Sequence, residues 1–253
     1  GAGVGNIGVV AITGTSVEDV TLNAGTGNVT VGVIGAAATQ INDVTITGAT
    51  INLGGNINTD NDGIDLGDVD LNGAVALAAD VTINTSAGDG TVNLSSTVDN
   101  AQNFVIASGA GAVVITGGVG LTTALTSLTI NAAGTGAITI DDIGDAGVGV
   151  SVGTAIGNAA TTNIILGGTV YNTDGTQTYT AVAGNTIDLT AGATTTFTST
   201  ADAITFATGT VELANNSDLV VNSTGGNIIV SAIKGSSVED VTLNAAGGNV
   251  TIG

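Results

Sequence analysis

Asp60-Asn61-Asp62-Gly63-Ile64-Asp65, followed by Asp68 and Asp70, is the densest group of potential ligands in this 253-residue chain. Carboxylates gathered round a glycine turn suit a hard cation that prefers oxygen, and Ca²⁺ is the ion such a set would take. The candidate ligands are Asp60, Asp62, Asp65, Asp68 and Asp70. The Asp-x-Asp-x-Asp-Gly order of an EF-hand loop, closed by Glu, is not met. Strand-like alternation places Asp65 and Asp70 toward solvent, beside inward Ile64, Leu66, Val69 and Leu71. A solvated acidic face is thus the plainer reading of the same residues. Asp141-Asp142 with Asp145 forms a second, smaller cluster of this kind. Glu18-Asp19 and Glu239-Asp240 each stand in a Val-Glu-Asp-Val stretch and read as solvated corners, with Lys234 a salt-bridge partner for one copy.

Most other chemistry lacks its residues. There is no Cys, His, Met, Trp or Pro, and Lys234 is the only basic side chain. Zinc, haem and iron–sulfur sites lose their usual ligands. A Ser-His-Asp triad and most acid–base pairs cannot be assembled. No enzyme is expected, and a polysaccharide-active one is a minor alternative. The formal charge of −20 repels nucleic acid, which demands a basic footprint. Asn103 to Ile140 is free of charge but broken throughout by Gly, Thr, Ser and Asn, whereas a spanning helix needs about 20 predominantly apolar residues. Two Tyr and three Phe are too few for the aromatic girdles of an outer-membrane barrel. The chain is therefore not expected to span a membrane, and Gly1 to Val17, without a basic stretch, does not read as a signal peptide.

The elements that hold these residues repeat. Gly5–Gly32 (GNIGVVAITGTSVEDVTLNAGTGNVTVG) aligns without gaps with Gly226–Gly253 (GNIIVSAIKGSSVEDVTLNAAGGNVTIG), matching at 21 of 28 positions at an offset of 221. Within that long period a shorter unit recurs: an apolar-Thr-apolar strand, a polar Asn/Gly turn and a second short strand. Val20-Thr21-Leu22 precedes Val29-Thr30-Val31, and Val44-Thr45-Ile46 precedes Ile51-Asn52-Leu53. Val81-Thr82-Ile83, Phe104-Val105-Ile106 and Leu128-Thr129-Ile130 open later copies. Starts at 20, 44, 81, 104 and 128 are mostly 23 or 24 apart, with one interval of 37 holding extra short strands at Ile64–Leu66 and Val69–Leu71.

Period-two alternation of β-branched residues predicts strands with one buried face. Strands this short cannot build a sandwich, but they suit a coil that stacks on its predecessor. The expected fold is all-β: a right-handed parallel β-helix (β-solenoid) of roughly 20–24 residues per coil, running as a single continuous unit over residues 1–253. Val, Ile, Leu and Ala would fill the inside, with coils about 4.8 Å apart. Asn23, Asn131 and Asn244, each in a repeated turn, are expected to stack as an amide ladder. Neither end carries an obvious polar cap, so coils are expected to continue, covalently or by end-to-end stacking, as in a segment of a longer array.

The runs VEDVTLNAGTGNVTV, DLNGAVALAADVTINTSAGDGTVNLSSTVDNAQNF and LTSLTINAAGTGAITI, with GGTVYNTDGTQTY from Gly168 on, resemble the β-strand repeats of giant bacterial surface adhesins, related in style to the filamentous haemagglutinins. The resemblance covers most of the chain and implies a parallel β-helix, a secreted or cell-surface location and a fibrous, adhesive role. Its implied partners are further copies of the solenoid and cell-surface or matrix carbohydrate or protein. The expected function is a structural and adhesive extracellular fibre segment. The alternative is a ligand-binding adhesin module, Ca²⁺-assisted, and a minor one is an ice-binding solenoid with outward Thr such as Thr45, Thr47 and Thr194 to Thr200.

Overall fold

The computed structural model describes all residues except 1–4, 16, 61–65, 132, 146 and 237. Short β-branched strands separated by Gly/Asn corners wind into a parallel β-solenoid of about ten turns. Three strands per turn build three ladders, and their pairings are all parallel. The first ladder climbs from Val20–Asn23 through the opening halves of Val44–Leu53 and Val69–Leu77, then through Val92–Leu94, Val113–Ile115, Ile138–Ile140, Ile164–Leu166, Thr186–Leu189 and Thr210–Leu213 to Ile233–Lys234. The second begins at Ile7–Ile12 and narrows to single bridges at Val119 and Ile143. It widens again through Val170–Thr173, Thr195–Ser199 and Leu219–Ser223 to Val241–Ala245. The third opens on Ile12 and Ile34, the last residues of Ile7–Ile12 and Val29–Ile34. It continues from Ile57–Asn58 through Val81–Asn84, Asn103–Ala107, Leu125–Ile130, Val150–Gly157, Thr176–Thr180, Ile204–Phe206 and Ile228–Val230 to Val250–Ile252.

Alternation decides what is inside. In Val113–Ile115 the outer pair of residues is buried and Val114 is half-buried, and Ile138–Ile140 and Ile164–Leu166 repeat the pattern. Because pairing is in register, each inward position becomes a column along the axis. Ile57, Ile83, Ile106, Ile130 and Ile156 form one such column, continued by Tyr179, Phe206 and Val230. No helix among the described residues is long and apolar enough to cross a membrane.

Three expectations change. Ladder partners such as Ile143 and Tyr171 lie further apart in sequence than the 20–24 spacing allows, so the longer coils carry extra corner residues. The interval of 37 is not a coil: Val20 and Val44 belong to the first ladder, while Val81 and Phe104 belong to the third. Val69 stands directly above Val44, one coil on. Leu66, expected to point inward, is 50% exposed and lies outside any strand, because the chain is still turning the corner there. Ile64 and Asp65 fall outside the described residues.

The same change of face affects the long period. Nine turns above Ile7, by way of Val29, Ile51, Val75, Val98, Val119, Ile143, Tyr171 and Phe197, lies Val221. Its sequence counterpart, Ile228, sits one strand further on, in the third ladder. Leu22 likewise pairs in the first ladder and Leu243 in the second. The long unit therefore returns rotated by one face. What it keeps is its corner: Glu18 accepts from the Thr15 amide (2.6 Å) and hydroxyl (2.9 Å), and Glu239 accepts from those of Ser236 at 2.7 Å each. This is capping-box chemistry without a helix.

Candidate functional site: the acidic corners

The carboxylates are arranged along the axis. Asp19, Asp43 and Asp68 precede the first ladder at one corner, in successive coils. The Asp43 amide donates to Asp19 Oδ1 (3.3 Å), the Asp68 amide to Asp43 Oδ1 (2.7 Å) and the Thr91 amide to Asp68 Oδ1 (2.7 Å). Each side chain thus accepts from the backbone one coil above. The device recurs elsewhere: Asp80 Oδ1 accepts from the Asn103 amide, Asp89 from Ala110, Asp99 from Thr122 and Asp218 from Asp240. Asn6, Asn56 and Asn227 do the same with amide oxygens, toward Asn28, Thr82 and Asn249. A corner cannot continue the ladder, so its N–H groups need a partner, and a short Asx side chain supplies one.

Of the five candidate Ca²⁺ ligands, Asp62 and Asp65 lie outside the described residues. Asp60 donates its amide to the Ile41 carbonyl (3.0 Å). Asp68 is engaged as above. Asp70 points outward from the first ladder between Thr45 and Asn93. Among the described residues no three His, Cys, Asp or Glu side chains converge for a metal ion. Asp142 of the second cluster accepts from the Thr169 (2.7 Å) and Val170 (2.9 Å) amides. Asp145 contributes its backbone carbonyl, to Asn172 Nδ2 (3.0 Å).

Lys234 pairs with Glu212, one coil below, at 3.0 Å, rather than with either Glu-Asp pair, because Ile233–Lys234 stacks on Thr210–Leu213. With Lys234 65% exposed, the pair adds about 0–1 kcal/mol. The expected amide ladder is also absent. Asn23 turns back to the Gly25 amide, Asn131 is buried against Ser108, and Asn244 stands in the second ladder above Asn222. These are three different stations of the coil.

The acceptor role leads to a test with chemically matched variants. Asp68→Asn keeps an Oδ1 acceptor and is expected to leave stability nearly unchanged. Asp68→Ala strands the Thr91 amide and is expected to lose about 0.5–1.5 kcal/mol in a urea titration. Equal losses would show that charge, not the hydrogen bond, is what matters at this corner.

Protonation has a defined sign. Asp80 is held below the usual Asp value of 3.8, first by the Asn103 amide and then by its side chain. Glu18 is lowered from 4.5 chiefly by the Thr15 amide, and Glu239 chiefly by the Ser236 hydroxyl. Depressed folded values contribute stability above the unfolded value and lose it as pH falls through the folded one. Wild type is therefore expected to exceed Asp80→Ala in urea midpoint at pH 6, with the gap closing below about 3.8. A gap that widens in acid would contradict this. Asp141 runs the other way: burial, then the neighbouring Asp142 charge, raises it, so its ionisation opposes folding.

Sequence reasoning missed a buried polar group. Gln177, on the inside of the third ladder, donates from Nε2 to the Tyr171 (3.0 Å) and Thr198 (2.7 Å) carbonyls and accepts from the Tyr179 hydroxyl at 2.9 Å. The Tyr171 hydroxyl donates to the Ile140 carbonyl and accepts from the Gly168 amide. Burial pushes both phenols far above their ordinary value, so they are permanent donors. Both hydroxyls are buried in the core.

Among the described residues, the concavity of note is a surface groove of about 190 Å³ lined by Gly147, Val148, Asn172, Thr173, Thr198 and Thr200. It holds no titratable side chain, and it is smaller than the roughly 300–1,000 Å³ of ordinary ligand sites. Comparison with known protein families found no match. Comparisons with curated proteins and with solved structures found none either.

Proposed function

We propose that this chain is a segment of a structural, adhesive extracellular fibre, in which the solenoid itself is the working part. The observation that supports this best is the destination of its polar groups. Corner carboxylates and amides accept from the next coil's backbone, and the strands between them do the same through main-chain bonds. Such a rod resists extension because load along the axis acts on three ladders at once. From Ile12 to Ile252 the third ladder rises about 48 Å, at about 4.8 Å per layer. The negative coat keeps the rod soluble. A carbohydrate-active enzyme is disfavoured, since the groove offers neither acid nor base.

Immunogold electron microscopy on intact source cells, with antibody raised against this chain, tests the reading. Label on filaments projecting from unpermeabilised cells is the expected result. Label that appears only after permeabilisation would exclude an extracellular fibre.

A further inference from the structure

The 21 acidic residues are distributed unevenly. The described ones occupy corners, the outward positions of the first ladder (Asp70, Asp188, Glu212) and one position of the second (Asp99). No strand of the third ladder contains Asp, Glu or Lys. Its central outward column reads Thr82, Val105, Thr129, Ala155, Thr178, Thr205, Ile229 and Thr251, in register from coil to coil. Exposed apolar side chains on these strands include Val152 (63%), Ile229 (39%) and Ile252 (57%), while Val10, Val33 and Val241 stand exposed on strands of the second ladder. In a chain of net charge −20, this is a flat face of uncharged, mostly β-branched side chains.

We propose that this face packs against the same face of a second copy, joining two solenoids side by side. The occupant follows from charge. The first face carries Asp70, Asp188 and Glu212, the second carries Asp99 alone, and the corners carry most of the other described carboxylates, so two copies approaching there bring like charges together. Third face to third face is the approach that buries no carboxylate on either strand surface. Size sets the affinity: from Thr82 to Thr251 the column spans seven coil spacings, about 34 Å, and with about 13–17 Å of strand width gives roughly 440–580 Å² per copy, the area of a weak, concentration-dependent interface. Side chains of similar bulk then interdigitate as between the sheets of a sandwich. Corner acids such as Asp80, Asp174 and Asp202 flank the face, so salt strengthens the pairing by screening them. The inference holds whether or not the rod belongs to an extracellular fibre.

Sedimentation equilibrium tests it, from micromolar to millimolar protein, at about 0.05 M and about 0.5 M NaCl. The expected result is a mass rising from 24.0 kDa toward twice that value with concentration, more readily at high salt. Thr178→Glu with Thr205→Glu charges the face and is expected to abolish the dimer. Thr30→Glu with Thr139→Glu adds the same charge to the other two ladders and is expected to retain it, both variants being verified as folded by circular dichroism. A chain that stays monomeric throughout overturns the proposal. So does a dimer indifferent to the Thr178/Thr205 variant, which would mean end-to-end stacking, and so does equal loss in both variants.

Discussion

Replacing Phe197 by Ala is expected to destabilise the solenoid by about 3–5 kcal/mol, among the largest effects of any single side-chain truncation. Phe197 is fully buried and touches three rings. It stacks on Tyr171, one coil below, at a centroid distance of 4.7 Å and an interplanar angle of 12°. It meets Tyr179 and Phe206 edge-on, at 5.4 and 5.1 Å. Tyr179 and Phe206 are themselves stacked at 5.3 Å and 17°. The core thus holds two stacked pairs from adjacent coils, set edge to face, with Gln177 linking the Tyr179 hydroxyl to the Tyr171 and Thr198 carbonyls. Truncation leaves a cavity that neighbouring coils cannot close, since each is fixed by ladders above and below. Phe197→Leu, filling most of the volume, is expected to cost about 1.5 kcal/mol or less. In a fold where each coil contacts only its neighbours, the damage stays local. Hydrogen exchange should quicken in residues 170–206 of Phe197→Ala and stay near wild type in residues 29–53. Uniform quickening along the chain would count against this packing account.

The aromatic cluster marks where reading from the sequence stops. Tyr171 stands in register with Phe197, and Tyr179 with Phe206. One coil length separates the members of each stacked pair, and that spacing was the available signal. Counted as composition, five aromatics are merely scarce. Strands were legible because burial of alternate residues leaves its period in any sequence that forms them. Faces were not legible. All three ladders ask for the same apolar-x-apolar triplet, so Val20 and Val81 look alike while standing on different faces. The long unit can return one face further round for the same reason. Its corner, closed by Glu18 on Thr15 or by Glu239 on Ser236, is complete in itself and fits either place. Asp70, read as outward, does stand on the outer side of the first ladder, but the partner of Asp68 is the amide of Thr91, a whole coil away, and nothing local announces it.

Glycine supplies the second large effect, from coil spacing and not from turn conformation. Gly67, Gly90, Gly111 and Gly136 stand one above another at the corner that leads into the first ladder. A Cβ on Gly90 would clash with the Gly67 carbonyl oxygen, one on Gly111 with that of Gly90, and one on Gly136 with that of Gly111, each far inside contact distance. The same carbonyls are already occupied from inside: the hydroxyls of Thr59, Thr85 and Ser108 donate to Gly67, Gly90 and Gly111, each at 2.5 Å. Backbone that is hydrogen-bonded from within and clamped by ladders on either side cannot step back by an ångström. Gly136→Ala must therefore open the corner, and the amide of Ile138, bonded to the Asn163 carbonyl at 2.9 Å, is drawn out of line with it. The expected loss is about 3 kcal/mol, at the upper end for an overpacked site. Gly8→Ala is the control: its added Cβ meets nothing within 4 Å, and removing a strand glycine is expected to be neutral or to gain up to about 1 kcal/mol. Paired urea titrations read the difference. Should Gly136→Ala melt with Gly8→Ala, the corners would be looser than this column requires, and glycine would be there for the flexibility of the unfolded chain rather than for the closeness of the coils.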